Sequence, residues 1–438
     1  MNLLKKNNIQ NGNTLQKFQL IKYSALIVIS ILLAKSGLGI TRIGQFEIAM
    51  LIVGTFSLPA INIIPKLSLI FSKKETSDQL KIIVFNSFVL LSFLAILASA
   101  IFFLSYNAIS NSLLNGNEVP MPLLLGLYIL FNSPSLLIEY IYLINNQPQK
   151  ILIYSIIIFT FQIFAVGLPP YFGFGLNSIL LGLLSYSIVK FCWLIVVMIR
   201  YSKIKPDRSI LKKIMNRGIH LVLPALLNSS AIYVAGFIVA SRFTPDDLAV
   251  FQYGARELPL ALLLAYSLSM AMLPQLAQHN IESPLAEFRS EVYRLHWILF
   301  PLSIILVLTS HWFFPLVFNP QFAASATIFN ITLLLVISRV LFPQTILIAK
   351  KNNRIIVWAL FFEICVNVGF SLWLAGLVGI KGVAYGTFIA YLFEKVFLMI
   401  ACQRILKISP VKYLPLKIYF ISSTLLIFTF VLTEFIFF

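Results

Sequence analysis

The sequence has few charged residues. Only 11% of its 438 residues are charged, whereas 59% are hydrophobic and the mean hydropathy is +0.92. A soluble domain is about 25% charged and about 45–50% apolar, so a water-soluble chain of this length could not hide its apolar surface. The composition therefore excludes a soluble cytosolic or secreted protein and predicts a polytopic membrane protein.

Cysteines and sequence motifs for cofactor binding are also scarce. Cys192, Cys365 and Cys402 show no CxxC spacing, and the four histidines show no HExxH spacing, so we expect neither a disulfide framework nor a metal site. The chain has no phosphate loop, no GxGxxG and no GxSxG motif. We therefore expect no cofactor and no enzymatic activity, and any work must draw on a gradient, a partner or substrate supply.

Apolar runs of the length that spans a bilayer make up most of the chain. We predict an all-α polytopic membrane protein with about 13 transmembrane helices, at residues 20–41, 46–70, 80–104, 120–145, 150–171, 176–200, 216–241, 250–275, 294–318, 323–349, 354–376, 379–401 and 413–437. All predicted loops are short, so we expect no soluble domain on either side.

The basic residues indicate the orientation of the chain. The formal net charge is +18, which in a soluble protein would suggest nucleic acid, but here the excess follows the loops. Nearly all loop Lys and Arg residues fall on alternate loops, and only Arg42, Arg242 and Lys381 fall on the others. By the positive-inside rule the N-terminus is cytoplasmic, and an odd number of spans places the C-terminus outside. We expect no nucleic-acid partner.

Two pairs of segments indicate an internal duplication. Residues 143–153 match 347–357, and 186–190 match 391–395, at nearly the same sequence offset. Repeats of this kind are common in transporters and favour alternating access by rocking of the two halves. We predict a cytoplasmic lead at 1–19, a six-helix half at 20–200, a basic cytoplasmic linker at 201–215, a second six-helix half at 216–403, and a linker with an extra helix at 404–438.

Basic side chains within the predicted spans are candidate functional residues, because each costs at least about 2.5–3.5 kcal/mol at the bilayer centre. Where such side chains converge, they form a cationic cavity suited to a phosphate-bearing anion, since Arg offers paired donors and Lys a mobile charge. The candidate substrate-binding residues are Lys35, Arg42 and Arg256 toward the outside, and Lys190, Arg339 and Lys395 toward the inside.

Acidic side chains within the spans are candidates for ion coupling or ion pairs: Glu139, Glu257, Glu363 and Glu394. Glu363 is the most central of them and the best candidate for coupling to protons or cations. The sequence leaves simpler readings open. Glu139 could reach the inner interface, and Arg256 could pair locally with Glu257. We expect Glu394 and Lys395, as neighbours on a helix, to point in different directions.

Four stretches resemble a known transporter family. The segment from Phe251 through Arg256, Glu257 and Pro259 to Leu273-Pro274-Gln-Leu276 resembles the eighth-helix pattern of bacterial polysaccharide flippases (Wzx-like) and their lipid II flippase relatives. Weaker matches of the same kind occur at Ala34-Lys35-Ser-Gly-Leu38-Gly39, at Phe318-Asn-Pro-Gln-Phe322, and at Gly379-Ile-Lys-Gly382-Val-Ala. The first of these carries Lys35 where the family usually has Arg.

This resemblance implies the fold of the multidrug/oligosaccharidyl-lipid/polysaccharide (MOP) exporter superfamily. It also implies a flippase that moves an undecaprenyl-pyrophosphate-linked oligosaccharide, such as an O-antigen or capsule unit, across the bacterial inner membrane. Arg256 and Lys35 fall where the family places cavity cations. The implied partners are this lipid-linked substrate, membrane lipids, and the polymerase and chain-length machinery, with a monomeric transport unit.

Two other functions stay open at this stage. One is a cation-coupled multidrug exporter of the same superfamily, for which acidic residues would dominate the cavity. The other is a membrane enzyme of envelope polysaccharide synthesis. A polymerase would need a large outside loop, and an acyltransferase a histidine with a partner at membrane depth, whereas we expect His220 and His311 to lie near span ends without one. A structural membrane protein is a further alternative.

Overall fold

The computed structural model describes residues 2–72, 76–114, 116, 118–278 and 281–436, without the side chains of 2–13, 59–72, 77, 113, 213, 215–225, 228 and 231–232. In these residues the regular structure is entirely helical, as predicted. The α-helices are α1 (Asn2–Lys35), α2 (Ile40–Ser72), α3 (Ser77–Leu113), α4 (Pro122–Asn132), α5 (Ile138–Ile144), α6 (Pro148–Gln162), α7 (Leu176–Tyr201), α8 (Arg208–Arg242), α9 (Pro245–Gly254), α10 (Pro259–Leu276), α11 (Glu282–Val317), α12 (Ser325–Leu333), α13 (Leu335–Arg339), α14 (Pro343–Ala349), α15 (Asn353–Val378), α16 (Ile380–Ile405) and α17 (Leu416–Ile436).

Ten of these helical segments are long and apolar enough to cross a bilayer, or eleven if the bent α12–α14 segment counts as one span, among the residues described. The predicted spans at 46–70 and 216–241 lie in α2 and α8, whose side chains fall largely outside that part of the chain. The chain is thus a multi-pass α-helical membrane protein, and the count of 13 spans stays a prediction.

Apolar side chains cover the outside of the helices. Leu104 is 87% exposed, and Phe164, Trp312 and Phe428 are also exposed. Soluble monomers rarely expose contiguous apolar surface of this extent, whereas in a bilayer such surface faces acyl chains. The exposed apolar residues therefore support the membrane assignment that the composition predicts.

Contacts along the chain define two compact units. Unit 1 comprises Met1–Tyr233 and Ala240–Asp246, and unit 2 comprises Val234–Val239 and Asp247–Phe438. The predicted half boundaries, 20–200 and 216–403, stay predictions. The charged side chains considered below are described within one unit at a time.

The helix bounds repeat between the two units. Helices α6 and α7 begin at Pro148 and Leu176 in unit 1, and α15 and α16 begin at Asn353 and Ile380 in unit 2. Each corresponding pair lies about 205 positions apart, which agrees with the offset of the sequence matches. The duplication thus extends from the matched sequence segments to the positions at which these helices begin.

The turn before each repeated hairpin has the same unusual backbone. Asn146 (φ 53°) precedes α6 and Lys351 (φ 60°) precedes α15, and both adopt the left-handed conformation that non-glycine residues rarely take. The following amides donate to equivalent carbonyls, Gln147 to Tyr142 (2.9 Å) and Asn352 to Leu347 (2.9 Å). The same strained turn at equivalent positions indicates that the two segments share one local structure.

Proline breaks the span that precedes each of these turns. The predicted span 120–145 consists of α4, a 3₁₀ turn that begins at Pro134, and α5. The predicted span 323–349 bends by 42° where α13 ends and Pro343 begins α14. Proline lacks an amide donor and clashes with the preceding turn of helix, so it favours the first position of a new helix. Both breaks lie next to buried charges.

Candidate functional site

Lys190 is buried in the middle of α7 and is held by other residues of unit 1. Its side chain is 7% exposed, and Nζ donates a 2.8 Å hydrogen bond to Oδ1 of Asn132, the last residue of α4. Nζ also lies 5.2 Å from the centre of the Tyr186 ring, one turn earlier on α7. The helix break before Pro134 therefore brings a polar acceptor to the lysine.

Glu139 of α5 supplies the negative charge of this cluster. It is buried and interacts electrostatically with both Lys190 and Lys22 of α1. The Glu139 side chain is enclosed by protein and is not at the surface of the unit. Unit 1 thus places two predicted candidates, Lys190 and Glu139, in one buried cluster.

Arg339 is the centre of the corresponding cluster in unit 2. Its Nε and Nη2 donate to the two carboxylate oxygens of Glu257, at 3.0 and 2.6 Å. The guanidinium also lies 4.5 Å from the centre of the Tyr391 ring. A bidentate pair fixes both position and orientation, and Arg339 ends α13 directly before the break at Pro343.

Glu394, Lys395 and Glu363 extend this cluster along α16 and α15. Lys395 Nζ lies 2.6 Å from Glu394 Oε2, so the expectation that these neighbours point in different directions is wrong; the long lysine chain reaches back to the adjacent carboxylate. Glu363 is 1% exposed and interacts electrostatically with Glu394, Lys395 and Arg339. Among the described residues, no donor reaches Oε1 of Glu363 or Oε1 of Glu394.

The other predicted cations lie in different surroundings. The Arg256 guanidinium is half-buried and lies 4.7 Å from the centre of the Tyr253 ring. Lys35, at the end of α1, and Arg42, in the first turn of α2, are exposed, and Arg42 lies close to Gly175 before α7. The structure therefore brings Arg339 and Lys395 together in unit 2, while Lys35 and Arg42 lie at the surface of unit 1.

The charge balance of the unit 2 cluster differs from the sequence expectation. Two cations, Arg339 and Lys395, face three carboxylates, those of Glu257, Glu363 and Glu394. Depth in an apolar run does not show that these cations meet carboxylates such as Glu257 and Glu363, which come from other segments of the chain. Chemically, the cluster can exchange one acceptor for another on Arg339, and it holds carboxylate oxygens free to receive a proton or a cation.

A second polar cluster in unit 2 was not predicted from the sequence. His311 Nε2 lies 3.2 Å from Glu434 Oε1, and Glu434 also accepts hydrogen bonds of 2.8 Å from Thr327 and from Asn330. The expectation that His311 lacks a partner is wrong, and His220 lies outside the described side chains. This network joins the end of α17 to α11 and α12.

Some of the missed residues carry a signal in the sequence and others do not. Glu434 is an acid inside the last apolar run, so it meets the criterion applied to the other charges. Tyr186 precedes Lys190 by four residues, as Tyr391 precedes Lys395, and this spacing places each pair on one helix face. Asn132 is uncharged, and only the fold identifies it as the partner of Lys190.

Among the described residues, no group of three or more His, Cys, Asp or Glu side chains is arranged to hold a metal ion. The three cysteines are free, and Cys402 is buried. The chemistry of these clusters therefore depends on hydrogen bonds, ion pairs and the aromatic faces of Tyr186 and Tyr391.

Comparisons with known proteins place the chain in a family. The sequence profile of a family described as "Polysaccharide biosynthesis protein" matches residues 66–327, more than half of the chain. The chain has no match among curated proteins.

Solved structures with a similar fold are membrane transporters. The lipid II flippase MurJ in an inward closed conformation matches with a TM-score of 0.68 at 17% identity, over 96% of this chain and 97% of that chain. A multidrug resistance MATE transporter in an inward-facing conformation matches with a TM-score of 0.58 at 14% identity, over 85% and 91%.

A third similar structure is a MOP superfamily transporter from Pyrococcus furiosus, described as having a binding pocket of reverse polarity. Its TM-score is 0.53 at 16% identity, over 91% of this chain and 94% of that chain. At such identities the likeness concerns the fold, and the resemblance seen in the sequence is confirmed at this level. The chain thus belongs to the family of polysaccharide biosynthesis proteins and has the fold of MOP superfamily transporters.

Proposed function

We propose that this protein is a flippase that moves an undecaprenyl-pyrophosphate-linked oligosaccharide across the bacterial cytoplasmic membrane by alternating access. The N-terminus is cytoplasmic, and a single chain is the transport unit. The protein acts with the polymerase and chain-length machinery of envelope polysaccharide synthesis and has no enzymatic activity of its own. Its family and its fold support the transport of a saccharide-linked lipid.

The observation that carries the proposal is the bidentate pair between Arg339 and Glu257. A phosphate group offers the same two oxygen acceptors to a guanidinium as a carboxylate does. In this proposal the pyrophosphate of the substrate replaces Glu257 on Arg339, and Arg256 and Lys395 provide further positive charge within unit 2. Lys190, Lys35 and Arg42 stay candidate substrate-binding residues of unit 1.

Exchange at Arg339 explains why carboxylates accompany the cations. When substrate displaces Glu257, that carboxylate loses its partner at membrane depth, which is costly unless it gains a proton or a cation. Glu363 and Glu394 hold carboxylate oxygens without donors, so they provide places for such uptake. Coupling of substrate binding to proton or cation entry follows from this competition for Arg339.

A cation-coupled multidrug exporter is the second candidate. The specific observation in its favour is that three carboxylates face two cations in unit 2. A cationic drug would then bind the carboxylates, and Arg339 would act as an internal counter-ion. The two candidates differ in the sign of the substrate charge, which an experiment can separate.

The test is complementation in the native host lacking this chain. Arg339→Lys keeps the charge but loses the paired donors, so we expect surface polysaccharide to fall about tenfold or more while lipid-linked oligosaccharide accumulates inside. Arg404→Gln removes an exposed cation and serves as the matched control with full display. Protein levels are compared by immunoblot.

Two outcomes would overturn the proposal. Full polysaccharide display by Arg339→Lys and Arg256→Ala would exclude phosphate binding at these side chains. Efflux of lipophilic cations that depends on Glu257 and Glu363, with no change in envelope glycans, would establish the exporter instead.

A further inference from the structure

A groove runs along the surface of unit 2 between α11 and α17. Its volume is about 630 Å³, within the range of roughly 300–1,000 Å³ of small-molecule sites. The lining residues come from the first half of α11 and from the start of α17: Ala286, Arg289, Ser290, Tyr293, Trp297, Pro415, Lys417, Ile418 and Ile421.

The two helices lie side by side and run in the same direction. Arg289 and Lys417, which line the groove together, lie near the start of each helix, whereas His311 and Glu434 meet near the end of each. Successive turns of α11 and α17 therefore line the groove at matching positions along its length. The groove begins at the end of the helices that the sequence predicts to be cytoplasmic.

The polarity of the groove changes along its length. Arg289 and Lys417 lie at one end, Tyr293 follows one turn later on α11, and Trp297 and Ile421 follow after that. Trp297 is 61% exposed and Ile421 is also exposed. A sequence of cation, aromatic ring and aliphatic chain is the profile of a membrane interface read from water toward hydrocarbon.

The two cations at the polar end carry charges that no ion pair neutralises in the described part of the chain. Neither Arg289 nor Lys417 forms an ion pair with any carboxylate in the described part of the chain, whereas nearby cations do. Arg294 lies 2.7 Å from Glu291, and Lys412 lies 3.9 Å from Glu282. The cations beside the groove are paired with carboxylates, whereas the two cations at its polar end are not. The polar end therefore has a local excess of positive charge.

We propose that this groove binds an anionic glycerophospholipid of the inner leaflet, with its phosphate between Arg289 and Lys417 and an acyl chain along Trp297 and Ile421. The Ser290 hydroxyl and the Tyr293 ring lie where the glycerol region would sit. The lipid stabilises α17 against α11, which matters because α17 lies outside the duplicated part of the chain. This inference does not depend on the proposed transport function.

The experiment measures lipid binding to the purified full-length protein by native mass spectrometry. Phosphatidylglycerol and phosphatidylcholine are titrated against the parent chain and against the double variant Arg289→Gln/Lys417→Gln. Each cation near a membrane surface is worth roughly fivefold in affinity for anionic lipid. We expect phosphatidylglycerol to bind about tenfold or more weakly to the double variant, with phosphatidylcholine binding unchanged.

The matched control is Arg354→Gln/Arg404→Gln, which removes two exposed cations of unit 2 outside the groove and should bind phosphatidylglycerol normally. A second measurement follows the acyl chain: phosphatidylglycerol with brominated chains should quench tryptophan fluorescence, and Trp297→Phe should remove the same part of that quenching as Arg289→Gln/Lys417→Gln does. Quenching of Trp312 and the other exposed tryptophans remains in both variants. Equal melting temperatures and elution profiles verify folding.

Three results would overturn the inference. The first is equal loss of phosphatidylglycerol binding in the groove variant and the control, which would mean only general surface charge. The second is displacement of the lipid by glycerol phosphate at equal concentration, which would show a free-phosphate site. The third is quenching by brominated lipid that is as strong in Trp297→Phe as in the parent chain.

Discussion

Lys190 shows how a charged residue is tolerated in the middle of a transmembrane helix. An isolated lysine at that depth is costly, and it lies too far from either end of α7 to reach water easily. The structure gives it a hydrogen bond to Asn132, the face of Tyr186 and the carboxylate of Glu139. The neutral amide is therefore as much a part of the site as the two charged groups.

We predict that Asn132→Leu destabilises the protein, because Lys190 then lacks its hydrogen-bond acceptor. A buried donor left without a partner costs about 1–3 kcal/mol. The added change Lys190→Met should restore part of the melting temperature of the purified protein, since leucine and methionine need no hydrogen bond and Glu139 keeps its interaction with Lys22. A double variant no more stable than Asn132→Leu alone would contradict this pairing.

Residue partners were the least predictable part of the site. Depth in an apolar run identifies Lys190, Arg339, Glu363 and Lys395 as unusual, and all four are buried or nearly so. The acceptors of Lys190 and Arg339 come from segments far apart from them in sequence. The same limitation explains why a cationic cavity was expected where unit 2 pairs cations with carboxylates.

Close helix packing is the main feature at the level of elements. Gly182 of α7 packs directly against the backbone carbonyl of Ala165, in a short π-helical segment after α6. A π-type turn widens the helix locally and often marks a functional position. Only a residue without a side chain lets the two backbones approach so closely, as small residues do at helix interfaces in membranes.

We predict that Gly182→Ala lowers stability, because the new Cβ atom would overlap the Ala165 carbonyl oxygen. Overpacking of this kind costs about 1–3 kcal/mol. Gly369 of α15 is the matched control, since nothing lies within contact distance of its added Cβ. Gly369→Ala should be neutral or stabilising by about 0.5–1 kcal/mol. Thermal unfolding of both purified variants decides, and equal melting temperatures would contradict the packing argument.

The bounds of the helices were predicted correctly where the length of an apolar run determines them. They were predicted wrongly where a proline interrupts the run. The predicted spans 354–376 and 379–401 agree closely with α15 and α16. The predicted span 250–275 was wrong at its start, because α9 ends at Gly254 and α10 begins only at Pro259. Hydropathy measures the free energy of transferring side chains from water to an apolar phase. It therefore does not register the backbone donor that a proline lacks, which is what breaks the helix.

At the scale of the whole molecule, the fold class and the duplication were predictable from the sequence. Both rest on patterns that repeat over hundreds of residues, namely apolar runs, alternating loop charge and matched segments. The number of 13 spans stays a prediction, since many side chains of α2 and α8 lie outside the described part of the chain. The fold does not specify the substrate, because a lipid II flippase and a multidrug resistance transporter have similar folds.

We predict that the N-terminus is cytoplasmic and the C-terminus is on the outer side, as the loop charges and an odd number of spans require. Alkaline phosphatase fused after residue 438 should be active, whereas a fluorescent protein fused at the same place should stay dark. A fusion after Ser409, before α17, should reverse both signals. Matching signals from the two positions would mean that α17 does not cross the membrane.

The order of residues along the chain has a consequence for how the protein is made. Asn132 precedes Lys190 by 58 residues and Glu257 precedes Arg339 by 82, while Glu394 comes directly before Lys395. Ribosomal synthesis proceeds from the N-terminus, so in each case the acceptor is translated ahead of its cation. A newly delivered lysine or arginine thus meets a waiting acceptor in the membrane during insertion, and none of these three cations has to reside in lipid until a later segment is translated.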